Sequence, residues 1–417
     1  MSVRNTRGKI VSRRSFLRGI GATAAGLALG ACCPSGVPKV LTPTSSPTPV
    51  PSMVPTVPTA VPTDVPTATP TSVPTDVPTA PPTVAPTATP APTMDVRPRV
   101  AIARAANYDR ALVHQQLEAV LDGLGGLGDV VGSGDRVAIK VNLTGGSHFQ
   151  PPAGVSAVES YFTHPEVVRA LGELLRDAGA GEIFIVEAIY DPESYAREGY
   201  VDVAGAIGAT LLDLNSPHPY ADFASTPVGN GALVYDSFVF NRILEEVDVF
   251  VSVAKMKCHC SCGVTHSLKN LVGLVPMAHY RLQEDHWWRS AFHGHDETET
   301  RTMLPRTIVD LNRARPIDLA VIDGIKTAEG GEAPREGFAQ VMPGVLITSK
   351  DPVAADAVAT AVMGFDPTTE YPAVPFLHSD NHLNLAAAAG LGVNHLEGIA
   401  IAGVDIGDVR YAFAPCW

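Results

Sequence analysis

Residues 41–95 are dominated by Pro, Thr, Val and Ala, and that tract sets what the rest of the chain can build. Proline fixes φ and removes a backbone donor, so neither a helix nor a sheet ladder can run through it. The eight-residue sequence VPTDVPTA stands at 61–68 and again at 73–80, yet it has no apolar face to bury and is not a solenoid repeat. The expectation is a disordered, extended stalk over residues 34–96, rising roughly 3.1 Å per residue, with Thr and Ser placed for O-glycosylation. A packed core must therefore come from residues 97–417, which have ordinary globular composition and suffice for one α/β unit or two closely packed lobes.

Ahead of the stalk, Ser12-Arg13-Arg14-Ser15-Phe16-Leu17-Arg18 resembles a twin-arginine export signal. The apolar stretch 19–31 is too short for a lasting membrane span. It ends in Leu29-Gly30-Ala31-Cys32, which resembles a lipobox. These resemblances imply recognition by the twin-arginine machinery, acylation at Cys32, and a lipid-anchored protein on the outer face of the cytoplasmic membrane. A plain N-terminal membrane anchor is the alternative. The net charge is −13, and the signal residues 1–33 contain Arg and Lys but no acid, so the remainder is more acidic still. With no basic stripe, nucleic acid is not an expected partner.

Strand and helix signals alternate after residue 97. Val100–Ala103, Arg136–Val141, Ile183–Val186, Thr210–Leu214, Val247–Val253, Leu319–Ile322, Val345–Thr348 and Ile399–Ala402 read as strands. Arg110–Leu124, a stretch opened by Pro165 and closed by Gly179, Thr302–Ala314 and Pro352–Met363 read as helices. The fold class is α/β, a mostly parallel sheet flanked by helices. Ligands of such sheets sit beyond the strands' carboxyl ends, which singles out Lys140, Asn142, Glu187, the residues after Val253, and Asp323.

The densest chemistry is Cys258-His259-Cys260-Ser261-Cys262-Gly263-Val264-Thr265-His266. If the strand persists, Cys258, Cys260 and Cys262 share one face. With His266 after a turn they form a soft donor set for zinc, copper or an iron–sulfur cluster, although the spacing is not that of usual structural zinc. The competing reading is oxidation: outside the membrane thiols pair, and Cys416 makes an even four in the mature domain, so a bridge from Cys416 to one of the triplet would staple the tail. Lys140, Lys257, Lys269, Asn142, Asn270 and His259 offer positive charge and donors for a small anionic ligand. A buried lysine suits a base or Schiff-base nucleophile and His259 a general acid or base. Lys269 and Asn270 read equally well as flanks of a short helix, and Lys257 as a solvated edge. The loop holding His279, His286, Trp287, Trp288, His293 and His295 reads as a surface excursion or a lid. Asp351-Pro352 reads as a helix cap. No dinucleotide fingerprint, phosphate loop or nucleophile elbow occurs, so no nucleotide cofactor is indicated.

Val253-Ala254-Lys255-Met256-Lys257-Cys258-His259, Gly263-Val264-Thr265 and Leu268-Lys269-Asn270-Leu271-Val272-Gly273 together resemble the central signature of the domain of unknown function 362 family. Lys140-Val141-Asn142, Thr163-His164-Pro165, Ile322-Asp323-Gly324 and Ser349-Lys350-Asp351-Pro352 resemble its other elements. The resemblance implies an iron–sulfur association in some relatives and favours a pocket at Lys257, His259, Lys269 and Asn270. The ferredoxin-like Cys-x-x-Cys-x-x-Cys segment of some relatives does not occur in this sequence. Two functions are consistent with these residues: a metal- or redox-associated protein of unknown substrate, or a non-catalytic ligand-binding protein with a disulfide in place of the metal.

Overall fold

The computed structural model describes residues 3–4, 10–11, 97–146 and 149–417. The export signal, Cys32 and the stalk fall outside the described residues, apart from a two-residue antiparallel pairing of Val3–Arg4 with Ile10–Val11. No helix among the described residues is long and apolar enough to cross a membrane.

Residues from Arg99 onward build one large sheet. Its main path begins with β1 (Arg99–Arg104), β2 (Arg136–Lys140), β3 (Glu182–Glu187) and β4 (Ala209–Asp213). A separate hairpin, β5 (Ala224–Pro227) with β6 (Ser237–Phe240), lies outside it. The sheet continues with β7 (Val249–His259), β8 (Gly263–Thr265), β9 (Leu319–Glu329), β10 (Ala339–Val341), β11 (Val345–Ser349) and β12 (Ala400–Gly403). The order is β12-β1-β11-β9-β7-β2-β3-β4, with β8 hung on β7 and β10 on β9. Along that path only β11 runs against its neighbours, so the sheet is mostly parallel, as the alternating pattern predicts.

Helices cover both faces. On one, α1 (Arg110–Gly123), α2 (Pro165–Asp177) and α3 (Tyr200–Ile207) bury Leu117, Leu171 and Val203 against Val137, Ile139 and Val251 of the sheet. On the other, α5 (Glu297–Ala314), α6 (Pro352–Val362) and α7 (His382–Ala388) pack Ile308, Val358 and Leu383 onto Ala138, Phe250 and Ile322. A single turn, α4 (Ser267–Asn270), precedes these last three. Val137 and Ile139 face one layer and Ala138 the other, the period of two that puts apolar residues at every strand position in a doubly covered sheet.

The predicted helix ends hold where capping chemistry is strong. Asp351 Oδ1 accepts from the Ala354 N–H at 2.9 Å, with Pro352 as first helical residue. Helix α5 begins five residues before the predicted Thr302, because Asp296 caps it by accepting from the Glu299 N–H at 2.9 Å. Pro305 lies inside this helix. The Arg301 carbonyl, which proline cannot serve, accepts instead from the Asp380 N–H at 3.0 Å.

Candidate functional site

Strands β2, β3, β7 and β9 deliver their carboxyl ends to one edge of the sheet, and α4 closes over them. Lys140, the last residue of β2, places Nζ 2.8 Å from Glu187 Oε2 at the end of β3, 2.6 Å from the Val141 carbonyl and 3.2 Å from Asn270 Oδ1. Asn270 Oδ1 also accepts from Asn142 Nδ2, and its Nδ2 donates to the Lys140 carbonyl and to Ser252 Oγ. All four hydrogen-bonding positions of Asn270 are therefore spent, as are the three donors of Lys140. Both side chains are buried and brace the floor. Burial lowers the Lys140 pKa to about 8, with the Glu187 charge opposing. Gly273 is required above this pair: a β-carbon there would stand 2.1 Å from Glu187 Oε1 and 2.7 Å from Lys140 Nζ.

Above the floor lies a cavity of about 320 Å³. Asn142, Thr144, Glu187, His259, Lys269 and Asn270 line it from the sheet side; Trp287, Trp288, Arg289 and His293 wall it from the loop after α4, and Glu332 and Arg335 from the loop after β9. The aromatic wall is braced: Trp287 meets Phe149 and Tyr190 edge-on at 5.7 and 5.6 Å, and Trp288 meets His293 at 4.7 Å. Arg289 is buried and bonded to the carbonyls of Val275 and Ala188 and to the Tyr190 hydroxyl, a cation served by neutral acceptors.

Hydrogen-bonding capacity separates framework from ligand-facing groups. Lys269 is half-buried in the cavity wall and, among the described residues, its side-chain amine has no hydrogen bond or ion pair. His259 Nδ1 accepts from the Ser261 N–H at 3.2 Å, which leaves its other ring nitrogen to carry a proton. Burial, then the charge of Lys269, lowers the His259 pKa well below its ordinary value, so the imidazole is neutral near pH 7. Lys257, two residues back, does not line the cavity. Its Nζ bonds the Tyr161 carbonyl at 2.7 Å and the Oγ1 of Thr144, a residue that lines the cavity, at 2.9 Å. Burial pushes its pKa well below the lysine range.

Asp323 is brought to the same sheet edge but not to the cavity. Its Oδ2 is 2.7 Å from Lys255 Nζ and accepts from the His164 N–H, while Oδ1 accepts from the Tyr108 hydroxyl and the Ile325 N–H. Both members of this ion pair are fully buried and saturated.

The four soft donors do not converge. The strand ends at His259, and residues 260–262 form a three-residue hairpin loop closed by Gly263 at φ 79°. Cys260 leaves the common face at this turn and is disulfide-bonded to Cys416. Cys258 is buried and donates to the Ala414 carbonyl; Cys262 is buried and donates to the Val264 carbonyl. Burial raises both thiols to about 12, so neither is a ready thiolate ligand. His266 is buried beyond the turn. Among the described residues no group of three His, Cys, Asp or Glu side chains is placed to hold a metal ion, so these residues do not fit the expected metal or iron–sulfur site.

The central segment of this edge, β7 through α4 and Gly273, falls within residues 137–361, which match the family model described as Domain of unknown function (DUF362). The chain belongs to the DUF362 family. It is 30% identical over 294 residues to a thylakoid-associated protein of Synechocystis, covering 70% of this chain and 81% of that one. Among solved structures it is similar to a Thermotoga maritima protein, at 12% identity and a TM-score of 0.33, with 63% of this chain and 61% of that one covered. It is also similar to the lactate racemase apoprotein of Thermoanaerobacterium thermosaccharolyticum, at 12% identity and a TM-score of 0.36, with 64% and 58% covered. This chain thus spans less than two thirds of either solved structure.

In this DUF362 chain the predicted residues divide into two sets. His259, Lys269, Asn142 and Asn270 line the cavity, whereas Lys140 and Lys257 stand behind it and Asp323 apart from it. Sequence reasoning missed Arg289, Arg335, Tyr190 and Thr144. The two arginines sit in irregular loops with no periodicity to mark them. The one available signal was Trp287-Trp288 directly before Arg289, an aromatic pair joined to a cation.

Proposed function

We propose that this is an exported, surface-anchored DUF362 protein whose cavity binds a small organic anion, with the Cys260–Cys416 bridge in place of a metal. The observation that carries this reading is Lys269: an amine in a concave, half-aromatic site with its donors unspent. Arg335 and His259 line the same space, and Asn142 adds a polar edge. A carboxylate or phosphate group against Lys269, with an apolar remainder against Trp287 and Trp288, matches this lining. The neutral His259 beside the Lys269 cation also provides a proton carrier, which supports acid–base turnover of the bound anion as an extension of the same reading.

The disulfide supports an oxidising compartment and hence export. The thylakoid-associated relative supports residence at a membrane, which acylation of Cys32 would supply. The test uses the two cavity tryptophans as reporters. Saturable quenching of intrinsic fluorescence by members of a panel of small carboxylates and phosphate esters is expected. Lys269→Ala should weaken binding by about tenfold, the equivalent of one charge-assisted hydrogen bond. The reading is overturned if no anion in the panel changes fluorescence or melting temperature. It is equally overturned if protein isolated from its native host carries stoichiometric transition metal, or iron and sulfide, with Cys260 unbridged.

A further inference from the structure

A second cavity, about 420 Å³, lies beside the first and shares Ser261 and Arg335 with it. Its wall includes Cys260 of the bridge, the first turn of α5, Arg301 and His378. Cys260 of the bridge is half-buried and borders this open space, whereas Cys416 is largely covered.

The charged side chains around the bridge are not placed symmetrically on its two sulfurs. Arg335 Nη1 lies 3.9 Å from Cys416 Sγ. Its hold on Glu332 is loose, at 3.4 Å, and its side chain is 45% exposed, so the guanidinium can follow charge developing on sulfur. On the Cys260 side no cation is placed against the sulfur among the described residues, and Glu332 Oε2 accepts from the Cys260 backbone N–H at 3.1 Å. A thiolate leaving group is therefore better stabilised at Cys416 than at Cys260. The other two thiols of the domain do not compete. Cys258 and Cys262 are buried, engaged with carbonyls and held protonated.

We propose that the Cys260–Cys416 bridge is a thiol-exchange site for an external dithiol, approached through the second cavity. One thiolate of the dithiol attacks Cys260 Sγ and forms a mixed disulfide. The Cys260–Cys416 bond breaks, and its electron pair leaves with Cys416 as a thiolate beside Arg335. The second thiol of the reagent, deprotonated, then attacks the mixed disulfide and releases Cys260. The dithiol is oxidised by two electrons to its own disulfide, the bridge is reduced by two, and the two protons end on Cys260 and Cys416. This assignment does not depend on what the main cavity binds.

Dithiothreitol is the probe, used on the full chain under native conditions, with alkylation and peptide mapping at successive times. The expected result is second-order appearance of label on Cys260 and Cys416, with Cys258 and Cys262 unlabelled. Arg335→Ala should slow the reaction about threefold through loss of the nearby cation, and Arg335→Lys should restore most of the rate. If Cys258, Cys260, Cys262 and Cys416 label together at the rate of global unfolding, or if Arg335→Ala reacts as fast as the parent, the assignment is wrong.

Discussion

Single side chains at the sheet edge are held by saturation, and that makes their failure modes specific. Lys140→Met strands Glu187 in a buried site and should cost about 3–5 kcal/mol in urea unfolding. The Lys140→Met/Glu187→Leu double variant should recover most of that loss, because the pair's attraction is largely spent on its own desolvation. Gly273→Ala drives a methyl group into the same pair and should cost about 1–3 kcal/mol, with weaker anion binding as the floor shifts. Five imidazoles set the pH dependence: burial lowers His164, His266, His293 and His382 to about 3 and His259 well below its ordinary value. In the unfolded chain they protonate near 6.5, so their stabilisation is complete above that value and is lost as the pH falls below it. Each contributes a limiting slope of about 1.4 kcal/mol per pH unit. Asp356, raised to about 7 by burial, acts in the opposite sense, and Glu187, Glu198, Asp213 and Asp351, also raised by burial, join it toward the acid end, so the imidazoles dominate only in the upper part of the window. Denaturant midpoints should therefore drop as the pH falls through about 6. A midpoint that holds steady there would contradict the burial of these rings.

At the scale of elements, the strands and principal helices were legible because their apolar periodicity is imposed by burial on both sheet faces. Val249–Val253 announced itself in this way. Its extension through Lys255, Lys257 and His259 did not, because polar residues at alternate positions look like a strand leaving the core. Burial at those positions is made tolerable by tertiary partners: Asp323, the Tyr161 carbonyl and Thr144 come from 68, 96 and 113 residues away in sequence. The expected thiol face failed for a local reason, since the chain turns at residues 260–262, closed by Gly263, and Cys260 does not continue the strand. The β5–β6 hairpin and α7 also escaped notice, being short and weakly periodic. The bridge closes a loop over a sequence separation of 156 residues, so Cys260→Ser should destabilise the domain by up to about 5 kcal/mol on chain entropy alone. Thermal unfolding of oxidised parent against this variant measures it. Equal melting temperatures would show that the tail is held by its backbone bonds to Glu329 and Gly330 instead.

For the whole molecule, the proposed function rests on address as much as on the cavity. If the N-terminal segment is a lipoprotein-type twin-arginine signal, Arg13→Lys/Arg14→Lys should abolish export, and Cys32→Ser should release the exported domain from the membrane fraction. Cell fractionation with immunoblotting reads both. An unchanged membrane fraction for Cys32→Ser would favour an uncleaved anchor.

The loop between β9 and β10 supplies Glu332 and Arg335 to the cavity wall, yet it leaves and rejoins the sheet on neighbouring strands. If the cavity binds the proposed anion, its preference should be transplantable between homologues by exchanging one short stretch without redesigning the scaffold. The graft has a second piece, because Gly330 and Glu329 bond Ala414 and Cys260 bonds Cys416. Donor loop and donor C-terminus would have to travel together, and a chimera made from the loop alone should arrive without its fastening.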